Sequence, residues 1–212
     1  MEINNKHSDG GQDIFVSEIF GENYKGVFVD IGAQQPINHN NTYMLEARNG
    51  WTGLSFDIVD YSKLWQAERK NPFICANALT YDFKSTFEKY NLSSPIDYLS
   101  LDVEGDGDRV NCLKNVLKSG YDFKVITIEH DSYRGYAETE RDPQRTLLKS
   151  LGYILVVQCD TSEDWWIHPK YITEEQYLKF LSVNTVRFDL FRKINIDTRK
   201  YYYINEDLGE EL

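Results

Sequence analysis

The stretch Gly26-Val-Phe-Val-Asp-Ile-Gly-Ala33 decides the fold of this chain. A short apolar run that ends in an acidic residue and a glycine is typical of a buried parallel strand leading into a tight turn. Comparable apolar runs follow as far as residue 167 and alternate with amphipathic stretches. That alternation indicates βα units, and therefore an α/β fold with a mostly parallel sheet.

The same pattern places the individual elements. Strands are expected over 26–31, 52–56, 73–76, 96–101 and 125–128, and helices over 42–48, 62–70, 86–90, 106–118 and 143–151. A sixth strand, 153–158, is separated from the aromatic run 165–167 by a polar segment that is too short for a helical crossover. We therefore expect five parallel βα units closed by an antiparallel hairpin.

The length of the chain limits its organisation. With 212 residues it can form one domain that buries its own core, with or without an appendage. We expect that domain over 1–170, with its core over about 24–169. Residues 171–212 would then form an appendage with a helix over 173–181, an aromatic stretch and an acidic tail at 206–212.

Charge and cysteine content exclude several classes of function. The net charge of −11 repels nucleic-acid phosphates and anionic membranes, so neither is expected as a partner. The three cysteines, Cys75, Cys112 and Cys159, have no C-x-x-C spacing, which argues against a disulfide framework or a thiolate zinc site. The sequence has no signal-peptide pattern and no run of roughly 20 apolar residues, so a cytoplasmic location is expected.

Polar residues follow each of the first five expected strands. Ligands of an open parallel sheet bind beyond the carboxyl ends of its strands, where these residues would meet. Any one of them could instead cap a helix or lie in a solvated loop. Five consecutive strands with polar ends favour a ligand site, formed by Asp30, Gly32, Asp57, Asn77, Asp102, Glu104, Glu129 and His130.

The first turn, Asp30-Ile-Gly-Ala-Gln-Gln-Pro36, contains a single glycine. It lacks the G-x-G-x-x-G pattern that lets a backbone approach a pyrophosphate, which argues against NAD or FAD. An adenosyl ligand without phosphates fits better. Asp57, at the end of the second strand, is well placed to accept hydrogen bonds from ribose hydroxyls.

Several stretches together resemble the FkbM-type methyltransferases. The resemblance covers residues 11–169 in the order and spacing of that family, and it does not extend past Pro169. It is carried by Gly11-Gln-Asp-Ile-Phe-Val16, Gly26 to Ala33, Asn40-Asn-Thr-Tyr-Met-Leu-Glu46, Asn49-Gly-Trp-Thr-Gly53, Ile96-Asp-Tyr-Leu-Ser-Leu-Asp-Val-Glu-Gly105, Ile126-Thr-Ile-Glu-His-Asp131, Arg145-Thr-Leu-Leu-Lys-Ser-Leu-Gly-Tyr153 and Asp164-Trp-Trp-Ile-His-Pro169.

This resemblance implies a Rossmann-like class I methyltransferase fold, with a mostly parallel seven-stranded sheet and an antiparallel last strand. It also implies S-adenosyl-L-methionine (SAM) as cofactor and methyl transfer to a hydroxyl oxygen on a sugar, a glycan or another small molecule. Gln34 departs from the wider class, in which a second glycine often stands there. By position, the cofactor would be bound by Asp30, Gly32, Ala33, Gln34, Asn41, Thr42, Asp57, Ile58, Asn77 and Ala78.

A hydroxyl acceptor must lose a proton, which requires a general base or a metal ion. The catalytic candidates lie at the ends of the fourth and fifth strands: Asp102, Glu104, Glu129 and His130. His130 could act as the base, or Asp102, Glu129 and His130 could hold Mg²⁺ or another divalent cation. Alternatively the cluster is structural, with Glu129 paired to an arginine such as Arg145. His39 is a further candidate base, although a solvated role suits its polar loop better.

Two rival functions remain open. One is a non-catalytic module that binds SAM or a partner protein through the same fold. The other is a dehydrogenase, which the missing glycine pattern and the lack of a Tyr-x-x-x-Lys pair disfavour. Nucleic-acid methylation is disfavoured because Asp102-Val-Glu-Gly105 stands where such enzymes tend to have an Asn/Asp-Pro-Pro-aromatic turn. Whether the protein forms a homodimer also stays open.

Overall fold

A computed structural model describes residues 7, 8 and 10–181, together with strand segments at 184–185, 194–195, 200–201, 204–205 and 210–211. The main sheet contains β1 (Val27–Ile31), β2 (Thr52–Asp57), β3 (Phe73–Cys75), β4 (Ile96–Leu101), β5 (Phe123–Glu129), β6 (Ile154–Cys159), β7 (Glu163–Ile167) and β8 (Asn184–Thr185). The helices are α1 (Gln12–Phe20), α2 (Tyr43–Asn49), α3 (Ser62–Glu68), α4 (Phe83–Lys89), α5 (Asp108–Leu117), α6 (Asp142–Ser150) and α7 (Glu174–Tyr177).

Three short helical turns and two small ladders complete the described elements. The turns are 3₁₀ segments at Ser132–Arg134 and Leu178–Phe180 and a π-helical turn at Ala137–Arg141. The ladders pair β9 (Ile194–Asn195) with β10 (Lys200–Tyr201), and β11 (Ile204–Asn205) with β12 (Glu210–Glu211). The predicted acidic tail at 206–212 lies outside the described residues, apart from the backbone of 210–211.

The strands of the main sheet lie in the order β3-β2-β1-β4-β5-β7-β6-β8. Neighbours pair in parallel except at β7, which is antiparallel to both β5 and β6. The predicted architecture is therefore confirmed: a mostly parallel, Rossmann-like α/β sheet in which β7 runs antiparallel to its neighbours. The two-residue β8, which pairs in parallel with β6, was not predicted. Strand order reverses between β1 and β4, and such a switch point opens a crevice at the carboxyl edge.

Three helices differ from the sequence expectation. No helix was predicted over α1, because its apolar residues run together at 14–16 and do not show a clear helical period. Helix α4 begins earlier than expected because Asp82 caps it, accepting a hydrogen bond of 3.1 Å from the amide of Ser85. The helix expected over 173–181 is shorter: α7 has four residues and continues as a 3₁₀ turn.

Adjacent residues of each strand enter opposite faces of the sheet, as the period of two requires. Val29, Leu99 and Trp166 pack on the face covered by α4, α5 and α6. On the other face, a second apolar cluster joins the strands to α1, α2 and the segment after β7. Its members include Phe15, Phe28, Leu45, Tyr98, Val125, Trp165, Ile172 and Phe180. Among the residues that the structure describes, no helix combines the length and apolar character that a membrane crossing requires.

Candidate cofactor and active site

A cavity of about 440 Å³ opens at the carboxyl ends of β1 to β4, beside the switch point. Its volume lies within the range of roughly 300 to 1,000 Å³ typical of small-molecule pockets. Among the described residues that line it there are four carboxylates and no lysine, arginine or histidine. The lining consists of Ile31, Gly32, Gln34, Phe56, Asp57, Ile58, Val59, Tyr61, Ala76, Asn77, Ala78, Leu79, Asp102, Val103, Glu104, Asp108 and Cys112.

Gly32 brings the first turn against the end of β4. Its φ of +83° is a left-handed conformation, and a Cβ atom there would lie 1.7 Å from the carbonyl oxygen of Asp102. Any side chain at this position would therefore collide with backbone. The Gly32 amide donates to the carbonyl of Phe56 at 2.9 Å, so the turn is also tied to β2. This close approach forms the floor of the cavity.

Asp57 presents a fixed carboxylate to the cavity. Its Oδ2 accepts from the amide of Gln34 at 2.9 Å and its Oδ1 accepts from the amide of Val59 at 2.8 Å. A carboxylate has about four lone-pair sites, so each oxygen can accept a further bond from a ligand. Gln34 stands where the wider class often has a glycine. Its φ of +46° is the left-handed backbone conformation that a glycine adopts readily, so the backbone of the turn takes a glycine-like path here.

The wall of the cavity opposite Asp57 is apolar. Ile58 and Val59 lie on the rim, with 68% and 52% of their surfaces exposed. Both line the cavity together with Ala78 and Leu79. The Asn77 side chain accepts from the Leu79 amide at 3.0 Å, which shapes the loop after β3. An exposed apolar rim beside a fixed carboxylate suits a flat ring attached to a hydroxylated group.

Four of the predicted cofactor positions, Asp30, Ala33, Asn41 and Thr42, do not line the cavity. Asp30 is buried behind the first turn, where it accepts from the Thr42 hydroxyl at 2.8 Å. Asn41 donates to the Ser100 hydroxyl at 3.1 Å, and the carbonyl of Ala33 accepts from Asn40 at 3.0 Å. These residues support the turn from behind.

A buried arginine, Arg69, holds this support together. It donates to Glu46 at 2.6 Å, to Asn40 at 2.9 Å and to Thr42 at 3.1 Å. We call Asp30, Asn40, Thr42, Glu46 and Arg69 the Arg69 network. Burial raises the pKa of Asp30 and lowers the pKa of Arg69. Arg69 was not among the predicted site residues, since nothing in the sequence around it sets it apart from a surface arginine.

A second buried arginine, Arg109, lies beside the other end of the cavity. It donates to Glu129 at 2.6 Å and 3.1 Å and to Asp131 at 2.8 Å. The carboxyl of Asp102, which lines the cavity, forms a hydrogen bond with that of Glu129. We call Asp102, Glu129 and Asp131 the acid cluster. Asp131 and Arg109 were not among the predicted site residues, although Asp131 lies in a quoted motif.

Burial is the main cause of the pKa shifts in the acid cluster. It raises the pKa of Glu129 to about 8, with repulsion from Asp102 adding to the effect. It raises the pKa of Asp102 to about 6, and that of Asp131 to about 6 with a further contribution from Glu129. A carboxyl pair that retains a proton near neutral pH is suited to exchange protons with a substrate.

His130, predicted as a catalytic residue, faces away from the cavity. It is fully buried, and its Nε2 lies 2.9 Å from the carbonyl oxygen of Cys159. A carbonyl can only accept, so Nε2 carries the hydrogen. Nδ1 then accepts from the Ser132 hydroxyl at 2.9 Å. Both ring nitrogens are thus occupied by structural bonds. His39 is exposed and does not line the cavity either.

The alternative that Glu129 pairs with an arginine is confirmed, but that arginine is Arg109. Arg145, given as the example, binds Asp164 at 2.6 Å and 2.9 Å instead. Glu104 lies at the mouth of the cavity, where 68% of its side chain is exposed, and it accepts a hydrogen bond from Arg134 at 2.9 Å.

Within the described part of the chain, no group of three or more His, Cys, Asp or Glu residues is arranged to hold a metal ion. Of the suggested set, Asp102 and Glu129 lie together, whereas the His130 ring is bonded elsewhere.

The chain matches no family model and no curated protein sequence. Solved structures that share part of its fold include the MycE methyltransferase from the mycinamycin biosynthetic pathway, in complex with Mg, S-adenosyl-homocysteine (SAH) and mycinamycin VI. It is 13% identical, with a TM-score of 0.49, over 78% of this chain and 53% of that chain. Human methyltransferase 10 domain containing protein is 13% identical over 73% of this chain and 78% of that one, with a TM-score of 0.47.

A third similar structure is M. capricolum TrmK in complex with the natural cofactor product SAH. It is 17% identical over 74% of this chain and 65% of that chain, with a TM-score of 0.46. Identities this low concern the fold alone. The function of this chain therefore has to be argued from the cavity and the residues around it.

Proposed function

We propose that this protein is a SAM-dependent methyltransferase of the FkbM type that methylates a hydroxyl oxygen of a sugar or another small molecule. The observation that carries the proposal is the cavity at the switch point, where the fixed Asp57 carboxylate faces apolar rim residues. The motifs quoted from residues 11–169 support the same assignment.

We infer how SAM would lie along the lining residues. Asp57 would accept hydrogen bonds from both ribose hydroxyls, and Ile58 and Val59 would cover the adenine. The remaining part of the cofactor, which carries the positive sulfonium, would lie towards Asp102 and Glu104. Because four carboxylates line the cavity, a phosphate-bearing dinucleotide would be repelled there. When bound, SAM supplies a methyl group that is already strongly electrophilic.

The chain's own residues would orient the acceptor and remove its proton. The Asp102–Glu129 pair is the candidate base, because Asp102 lines the cavity and burial raises the pKa of both carboxyls towards neutral pH. Arg109 holds Glu129 with two hydrogen bonds and keeps its carboxyl oriented. His130 is not included, since its ring is bonded elsewhere.

The acceptor itself would be uncharged or cationic. Glu104 and Asp108 extend the acidic lining on the side where an acceptor would approach. A nucleic-acid backbone would have to bring phosphates against these carboxylates without a compensating basic surface among the lining residues. A neutral sugar or phenol pays no such electrostatic cost.

Calorimetric titration with SAM, SAH and NAD tests this proposal. We expect micromolar binding of SAM and SAH and no binding of NAD. Asp57→Asn should weaken SAM binding by about tenfold to hundredfold, because a hydrogen-bonded charged group is lost from the ribose. Asp60→Asn, which changes an exposed carboxylate three residues away, should bind SAM as the unchanged protein does.

Methyl transfer from labelled SAM to a panel of neutral glycosides and phenols would follow the binding measurement. Transfer to a hydroxyl, lost in Glu129→Gln while SAM still binds, would support the proposed base. Absence of SAM binding, or equal binding by Asp57→Asn, would contradict the assignment of the cavity.

A further inference from the structure

The carboxyl groups of Asp102 and Glu129 lie against each other at the acid end of the cavity. Burial and repulsion from Asp102 raise the pKa of Glu129 to about 8, so the pair holds one proton at neutral pH. Asp102 lines the cavity, and 21% of the Glu129 side chain is exposed. The proton between them is therefore within reach of whatever occupies this end of the cavity.

The charged groups around this pair are unbalanced. Arg109 serves both Glu129 and Asp131, and Arg134 lies 2.9 Å from Glu104 and 3.2 Å from Asp131. Among the described residues, the other charged groups close to the pair are acids. The facing groups are Glu104 after β4, Arg109 and Asp108 on α5, Asp131 after β5, Arg134 on the following 3₁₀ turn and Glu163 on β7.

An added positive charge would correct this imbalance. At short range in a partly desolvated site, a cation stabilises the ionised form of neighbouring carboxyls and lowers their affinity for protons. Binding and deprotonation are reciprocal, so a ligand that favours the ionised pair must also bind more tightly when the pair is ionised.

We propose that the Asp102–Glu129 pair selects the cationic methyl donor over its uncharged product by releasing a proton when the donor binds. This inference rests on the proposed function and deepens it. No covalent bond changes in this step: the proton passes from the pair to solvent, and the pair becomes doubly ionised. Donor binding thereby prepares the carboxylate that accepts the proton of the hydroxyl.

The same step explains how the product could leave. After methyl transfer the sulfur of SAH is neutral, and the proton taken from the acceptor restores the shared proton of the pair. The positive charge on sulfur and the second negative charge on the Asp102–Glu129 pair are then both absent, so their attraction no longer holds the product. Donor and product differ by one methyl group, and apolar contacts to a single methyl discriminate only weakly, so charge is the stronger basis for selection.

Proton release can be measured without turnover. SAM, SAH and sinefungin, which carries an amine in place of the sulfonium, are titrated at pH 7 in two buffers with different ionisation enthalpies. We expect about one proton released by SAM and by sinefungin and a much smaller release by SAH. Between pH 6.5 and 7.5 the Kd of SAM should fall by up to about tenfold, while that of SAH changes little.

Variants locate the effect in the pair. Glu129→Gln should abolish the proton release and make the Kd of SAM independent of pH over this range. Asp97→Asn is the matched control, because Asp97 is also a carboxylate paired with a cation, Lys124, but it lies on the neighbouring strand β4 at the opposite end of the sheet. It should release the same number of protons as the unchanged protein.

The outcomes separate this inference from the proposed function. If SAM and SAH bind with equal proton release, or SAM binds with none, the inference is overturned while the proposed function stands. If neither SAM nor SAH binds, both are overturned. The proton count of the unchanged protein decides the matter even if Glu129→Gln does not fold.

Discussion

The Arg69 network and the acid cluster around Arg109 both combine a buried arginine with carboxyl groups, but they differ in charge balance. Each centres on a buried arginine, with 1% and 0% of the side chain exposed respectively. Arg69 is bonded to one carboxylate, Glu46, and otherwise to neutral oxygens of Pro36, Asn40 and Thr42. Arg109 is bonded to two carboxyls, and a third is bonded to one of these.

The electrostatic consequence appears in the arginines themselves. Burial lowers the pKa of Arg69, whereas the carboxyls around Arg109 raise its pKa despite the opposing effect of burial. The first network is nearly balanced in charge and closed to the cavity, so it supports the first turn. The second has surplus carboxyls at the edge of the cavity, and burial together with their mutual repulsion raises their pKa values. The number of carboxyls per buried arginine thus separates a support from a candidate reactive site.

The largest expected effect is that of Arg109→Met. Removing the cation leaves Asp102 and Glu129 without compensation and Asp131 with Arg134 alone, and breaking a buried pair costs about 3 to 5 kcal/mol. We expect a loss near the upper end of that range at pH 8. At pH 6 the loss should be about half as large, because the acids are then partly protonated and need the cation less. Urea unfolding at both pH values measures the difference.

Arg69→Met should cost less, about 3 kcal/mol, because one ionised carboxylate loses its partner. The loss should be similar at pH 6 and pH 8, since the acceptors of Arg69 other than Glu46 are neutral oxygens. Arg48→Ala, which removes an exposed ion pair with Glu22, is the control and should change stability by no more than about 0.5 kcal/mol. A loss for Arg69→Met that depended strongly on pH would remove the distinction between the two regions.

The smallest expected effect is in the pH dependence of stability. The pKa of Glu129 is raised from 4.5 to about 8 in the folded protein, so unfolding releases a proton between these values. The protonated form of Glu129 stabilises the folded state, and this contribution is lost as pH rises through the window. The free energy of unfolding should therefore fall by about 2 kcal/mol between pH 6 and pH 8. Glu129→Gln cannot ionise and should flatten this dependence in thermal or urea unfolding. An unchanged slope would mean that Glu129 is ionised in the folded state at pH 6.

Much of the fold could be predicted because it depends on local signals. Each strand of the parallel sheet is a short run of apolar residues with a polar end, and β4 begins and ends at the predicted residues, Ile96 and Leu101. Gly32 was expected at the site, and the structure gives the reason in the backbone of Asp102. Helix α1 was missed because its apolar residues serve contacts that only the folded protein creates, such as Phe15 with Trp165.

The candidate site was only partly predictable. Asp57, Asn77, Asp102 and Glu104 were expected at strand ends and line the cavity. Asp30, Glu129 and His130 occupy comparable positions in the sequence, yet they do not line the cavity. Asp30 lies behind the first turn, Glu129 lies beside Arg109, and His130 lies under the turn at 132–134. A strand end specifies the edge of the sheet that a residue reaches, but it does not specify which way its side chain faces among its neighbours.

By itself, the sequence determined the order of the strands along the chain, the polar residues at their ends and the absence of a phosphate-binding turn. These features follow from apolar periodicity and from the conformations open to glycine, both of which are local. Only the tertiary structure decided the charge balance, because Arg69 and Arg109 meet carboxyls from 20 or more residues away. The pKa of a carboxyl depends on burial and on what surrounds it in space, and that environment exists only once the strands have paired.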